Sequence, residues 1–106
     1  MQKRKSSVIM VFYDLPIVTK EDQRKYRRFN DMLEKEGYIM FQKSVYVKLI
    51  HNSESRRNAI EKIKSIAPEK GRINALILSL AEFRNIINIS GDEFEHDIFS
   101  APIVFI

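Results

Sequence analysis

The chain has 106 residues, enough for one domain with a single two-layer core and too few for two. It contains no cysteine, which excludes disulfides, thiolate metal sites and cysteine nucleophiles, suits a reducing cytoplasm, and leaves His51 and His96 as the imidazoles. The formal net charge is +4 and is unevenly placed: residues 1–53 hold 11 Lys/Arg against 6 Asp/Glu, and residues 54–106 hold 7 against 8. This asymmetry favours a polyanionic partner, and nucleic acid ahead of a membrane because no long basic amphipathic helix with a bulky aromatic face is present.

After Met1-Gln2-Lys3-Arg4-Lys5 comes the run Val8-Ile9-Met10-Val11-Phe12-Tyr13, too short for a signal-peptide core or a membrane span, so a soluble cytoplasmic protein is expected. The run is strand-forming and ends in Asp14-Leu15-Pro16, so a buried strand delivers one carboxylate to a sheet edge. Such an Asp ordinarily starts a turn or caps the next helix, and it can also hold a cation. Thr19 with Asp22 forms a capping box for a helix whose apolar stripe is Tyr26, Phe29, Met32 and Leu33, and Gly37 stops it. That stripe is core. Near the helix start stand Lys20, Arg24, Lys25, Arg27 and Arg28, where the helix dipole prefers acids, a reversal that points to a bound anion.

The segment Tyr38 to Ile50 reads as two antiparallel strands broken at Gln42-Lys43-Ser44. Ser53 is the expected cap of a second helix, with Ala59, Ile60, Ile63 and Ile66 inward and Pro68 and Gly71 at its end. Its Arg56, Arg57, Lys62 and Lys64 read as a solvated face. Ile73 to Leu80 is another buried strand. The order strand, helix, strand, strand, helix, strand is an α+β, ferredoxin-like βαββαβ plan with an antiparallel sheet and both helices on one face. Because Val8 to Phe12 and Ala75 to Leu80 are apolar on both sides, the bare sheet face is expected to pack against the same face of a second copy as a homodimer. A short turn or helix is expected at Phe83-Arg84-Asn85, and an added edge strand at Ile86 to Ile89. The domain is read as residues 1–90. Residues 91–106, acidic at Asp92 to Asp97 and apolar from Ile98 to Ile106, form an extension expected to pack on the other protomer or a partner.

A strand ending Val-Phe-Tyr-Asp-Leu-Pro, a helix rich in Lys, Arg and Tyr, then Glu36-Gly37-Tyr38 and Gln42-Lys43-Ser44-Val45-Tyr46-Val47, resembles the CRISPR-associated Cas-two family over about residues 7–90. The resemblance implies a ferredoxin-like homodimer of CRISPR spacer acquisition that bridges dimers of the Cas-one integrase and holds duplex DNA. Some members are similar to metal-dependent endonucleases acting on RNA or DNA, which implies Mg²⁺ as cofactor and single-stranded RNA as a further partner. On this resemblance Asp14 is the metal-binding carboxylate, Tyr13 joins it as a catalytic residue, and Phe41 matches an active-site position. Lys20, Arg24, Lys25, Arg27, Arg28 and Lys43 are the expected nucleic-acid contacts.

Elementary chemistry is consistent with this. Phosphodiester hydrolysis needs neutralised phosphate charge and an activated water, and Mg²⁺ on carboxylates does both. One Asp per chain is a meagre site, but two-fold symmetry can bring two Asp14 side chains together. His51 and His96 read as surface residues, and Ser44 has no adjacent His to activate it. Two readings stay open, a nucleic-acid-binding adaptor that spaces two enzymes along a duplex and a metal-dependent endonuclease. A small-molecule regulatory domain is the weaker alternative, since three glycines and no phosphate-cradling loop are present.

Overall fold

The structure, a computed structural model, describes residues 6–92. Its elements run β1 (Ser7–Asp14), α1 (Lys20–Lys35), β2 (Ile39–Gln42), β3 (Val45–Ile50), α2 (Ser53–Ile66), β4 (Arg72–Ser79) and α3 (Leu80–Arg84). The four strands form one antiparallel sheet in the order β2-β3-β1-β4, the ferredoxin-like arrangement. The most apolar strand, β1, lies in the interior, hydrogen-bonded on both sides, where its Val and Ile side chains are covered above and below.

Local chemistry sets the boundaries. Thr19 and Asp22 close the expected capping box on α1, each side chain meeting the other residue's backbone N–H. Gly37 follows α1 at φ 94°, a conformation that a Cβ disfavours. On α2 the cap is Asn52, one residue before the expected Ser53, with Ser55 as its reciprocal partner. Asn is as good a cap as Ser, and here its amide oxygen reaches the Ser55 N–H at 2.8 Å. Similarly, β4 ends at Ser79, which caps α3, so Leu80 is helical and not the last residue of the strand. Ile86 to Ile89 forms no strand among the described residues. Ile87 and Ile89 are exposed, and the expected edge strand at that position is absent from the described part of the chain. The apolar tail Ile98 to Ile106 and His96 lie outside the described residues.

Two apolar clusters sandwich the sheet. On the helix side Ile9, Val11 and Tyr13 of β1 pack with Phe29 and Leu33 of α1, Ile63 of α2, and Tyr38 and Tyr46. On the other side Val8 and Val47 pack under Phe83, with Met10, Leu49 and Leu78 around them. The short helix α3 therefore covers the Ser7 end of the second face. Toward the Asp14 end that face is open, with Phe12 40% and Leu76 50% exposed. The expectation that the second face is apolar is met, and α3 fills part of it.

The tyrosines of the helix-side core share one electrostatic property. Burial pushes the Tyr38 and Tyr46 hydroxyls up to about 12 and Tyr13 higher still. Each phenol is neutral in the folded chain. The unfolded chain loses these protons near pH 10, so their contribution to stability is complete below pH 10 and is lost as pH rises toward about 12. Urea unfolding followed at pH 8, 10 and ~11.5 is expected to show a stability that falls by a few kcal/mol across the upper interval, since each tenfold difference in proton affinity between the two states is worth about 1.4 kcal/mol. A flat profile would mean that these phenols ionise equally easily in both states.

Candidate functional site

Alternation along β1 sends successive side chains to opposite faces. Val8, Met10, Phe12 and Asp14 therefore share the open face, and Tyr13 faces the helices. Asp14 is exposed at the end of the strand, directly opposite Arg72 in the β1–β4 register. Together with Lys43, Ser44 and Asn74 these residues line one shallow cleft, with Phe12 at its side.

Each wall of the cleft is anchored. The turn between β2 and β3 carries Lys43, and its Ser44 adopts φ 63°, a left-handed conformation uncommon for a residue other than glycine. Two contacts hold that turn. The Tyr13 N–H donates to the Ser44 carbonyl at 3.1 Å, and the Ser44 hydroxyl meets the Tyr26 hydroxyl of α1 at 2.8 Å. The opposite wall begins at Gly71, whose φ is 92°. A Cβ there would lie 2.6 Å from the Asp14 carbonyl oxygen and 2.8 Å from Leu15 Cδ2. Only glycine lets β4 start so close to the end of β1, and this approach sets Arg72 opposite Asp14.

The charge in the cleft is positive on balance. Asp14 is its one carboxylate, facing Lys43 and Arg72, and none of the three makes an ion pair among the described residues. Nor does any group of three or more His, Asp or Glu side chains suited to a metal occur among the described residues. Mg²⁺ commonly takes one or two carboxylates and completes its shell with waters and phosphate oxygens, and Asp14 is the one carboxylate that the cleft of a single copy offers.

The other expected site residues separate into different places. Tyr13 is in the helix-side core, its hydroxyl donating to the Asn30 side-chain oxygen and its ring edge-on to Phe29 at 4.9 Å. Tyr13 lines the cleft next to Asp14 but is 7% exposed, and strand alternation sends its phenol to the opposite sheet face. Phe41 packs against Phe83, 5.8 Å between ring centres, away from the cleft. Lys43 is in the cleft. Lys20, Arg24, Lys25, Arg27 and Arg28 ride on α1, the layer that covers the opposite sheet face. Arg24 and Lys25 pair with Glu21, while Arg27 and Arg28 are exposed with no ion pair among the described residues. The expected charge reversal at the start of α1 is not found: Glu21 and Asp22 occupy its first turn, and hydrogen bonds from the Thr19 backbone hold Asp22 below the usual carboxylate range. Lys25 and Arg28 do line a groove between α1 and the end of α2, with Met32, Ser65 and Pro68. Arg72 and Asn74 were not singled out by the sequence. Their only local signal is the alternation Arg72-Ile73-Asn74, which places two polar side chains on one face.

Fold and cleft together define a small ferredoxin-like α+β protein with an exposed strand-end carboxylate set between two cations. The chain belongs to the family described as CRISPR associated protein Cas2, whose sequence model matches residues 7–86. A CRISPR-associated endoribonuclease Cas2 of Ligilactobacillus salivarius is 34% identical over 87 residues, covering 82% of this chain and 86% of that protein. Proteins of the same name from Streptococcus mutans and Treponema denticola are each 34% identical over 84 residues, covering 79% of this chain and 78% and 83% of theirs. No helix among the described residues is long and apolar enough to cross a membrane.

Gly71→Ala tests the anchoring of the cleft. Forcing φ 92° on a residue with a Cβ that meets backbone at 2.6 Å is expected to cost at least about 2 kcal/mol in chemical denaturation and to disturb the amide resonances of Asp14 and Leu15. Unchanged stability and unchanged resonances would show that β4 does not need this approach.

Proposed function

We propose that this protein is the homodimeric nucleic-acid-binding adaptor of CRISPR spacer acquisition, holding duplex DNA by its backbone and bridging dimers of the integrase subunit in the cytoplasm. The observation that carries the reading is the half-covered second sheet face. Phe12 and Leu76 are half-exposed on the part of that face that α3 leaves uncovered, and a second copy packed on that face removes them from water. The cationic side chains on the outer surface of α1 then lie on both outer layers of the dimer, suited to phosphates without regard to sequence.

A second reading is favoured by the names of the relatives and by the exposure of Asp14: cleavage of single-stranded RNA at the cleft. A two-fold pair of Asp14 carboxylates belongs to this reading, since one copy offers the cleft a single carboxylate. Mg²⁺ bound there would offset phosphate charge. Asp14 would supply the oxygen donor, and Lys43 on the anchored turn would hold the substrate strand in place.

Asp14→Asn separates the two readings because it keeps shape and removes charge. RNA cleavage is expected to fall at least about a hundredfold, whereas dimer mass by light scattering, duplex binding and spacer integration persist. Undiminished cleavage would remove Asp14 from the reaction, and integration lost with assembly intact would overturn the adaptor reading. For the helix-layer cations, Arg27→Gln or Arg28→Gln is expected to weaken duplex binding equally across sequences and to lower the log–log salt slope by about one. A slope identical to wild type would make them a solvated surface.

A further inference from the structure

The geometry points to Arg72, acting with Lys43, as the binding subsite for one backbone phosphodiester of the nucleic-acid strand that passes Asp14, and to a cleft that holds a divalent cation more tightly once this phosphate is bound. The inference deepens the nucleic-acid-binding reading above and rests on it.

Three observations carry it. First, Arg72 and Asp14 are register partners on neighbouring strands, so their Cβ atoms are about 5 Å apart. Yet they form no ion pair, and the guanidinium keeps its donors for something else. Second, Lys43 enters from the other wall on a turn tied to both β1 and α1, so its backbone is fixed before any ligand arrives. Third, the cleft holds one negative and two positive side chains, an excess of one positive charge. A phosphodiester carries one negative charge and thus balances the cleft, and a planar guanidinium matches two of its oxygens at once. Asn74 adds a neutral donor on the same face of β4.

The same balance of charges governs a cation. A divalent ion approaching Asp14 in the empty cleft of one copy meets two like charges and a single carboxylate. With a phosphodiester on Arg72 and Lys43, one of its free oxygens supplies a further hard donor and its charge offsets the cations. Phosphate and metal therefore bind cooperatively, each raising the affinity of the other by the same factor.

The test uses the full chain, a fluorescein-labelled short single-stranded RNA and a labelled short DNA duplex, all in EDTA, with binding read by anisotropy. Arg72→Gln is expected to weaken binding of the strand that enters the cleft about tenfold, with the salt slope reduced by ~0.7 for single-stranded RNA or ~0.9 for duplex, and Arg72→Lys is expected to recover part of the loss. Asp14→Asn is expected to tighten binding in EDTA, since it removes the one negative charge. Whichever probe responds identifies which strand the cleft receives. In a second arm, free Mn²⁺ is measured by its electron paramagnetic resonance signal. Wild type is expected to take up Mn²⁺ at least tenfold more tightly with the responding oligonucleotide present, and Arg72→Gln is expected to narrow that ratio. Equal binding of both probes by Arg72→Gln and wild type, with a native melting curve, would overturn the subsite while leaving the adaptor reading in place. A wild-type chain that binds neither probe would overturn both, and metal uptake indifferent to the oligonucleotide would overturn the coupling.

Discussion

The two-residue period of β1 is the constraint on which the rest of the molecule depends. Being interior to the sheet, β1 must present one face to the helices and one to the other side, and no single-residue slip is allowed once Ile9 and Val11 are buried under α1. That parity decides chemistry as well as packing. Tyr13 is committed to the helix-side core, with its hydroxyl donating to Asn30, and Asp14 to the open face. Two adjacent residues with polar groups thus serve different layers, one holding α1 in place and the other lining the cleft on the open face.

The charged surface follows the same division into layers. Cations on α1 stand on the outside of the helix layer, partly answered by Glu21, whereas Lys43 and Arg72 stand beside Asp14 on the open face. A net charge of +4 spread in this way makes two chemically different surfaces. The first is a broad exterior whose exposed charges are screened by salt. The second is a shallow cleft lined by two cations and one carboxylate, with Phe12 at its side.

Much of the fold was legible in the sequence because its signals are local. The capping box Thr19-Asp22, the helix-ending Gly37 and the break at Lys43-Ser44 each depend on residues within a few positions, and each is found where the pattern puts it. Asp14 was legible for the same reason, being the first charge after an apolar run. What the sequence hid is long-range. Arg72 meets Asp14 only through the β1–β4 register, 58 positions apart in the chain with both long helices between them, and no local pattern encodes that pairing. Tyr13 shows the converse: its motif suggested chemistry, and the face it occupies is fixed by burial among Phe29, Tyr26 and Tyr46. The capping role of Asn52 in place of Ser53 is a one-residue ambiguity between two good caps.

The two edges of the sheet are not equivalent. On one side β2 has four residues and a bulge between Met40 and Gln42 that spoils the ladder, the kind of blunting that keeps foreign strands away. On the other side β4 offers eight residues in unbroken register with β1 and, among the described residues, pairs along one flank only. Its outer row of N–H and C=O groups is a straight template. Growth of this sheet is therefore directional: an incoming extended segment can be zipped on beside β4 by backbone hydrogen bonds alone, whatever its side chains, while the β2 flank resists it.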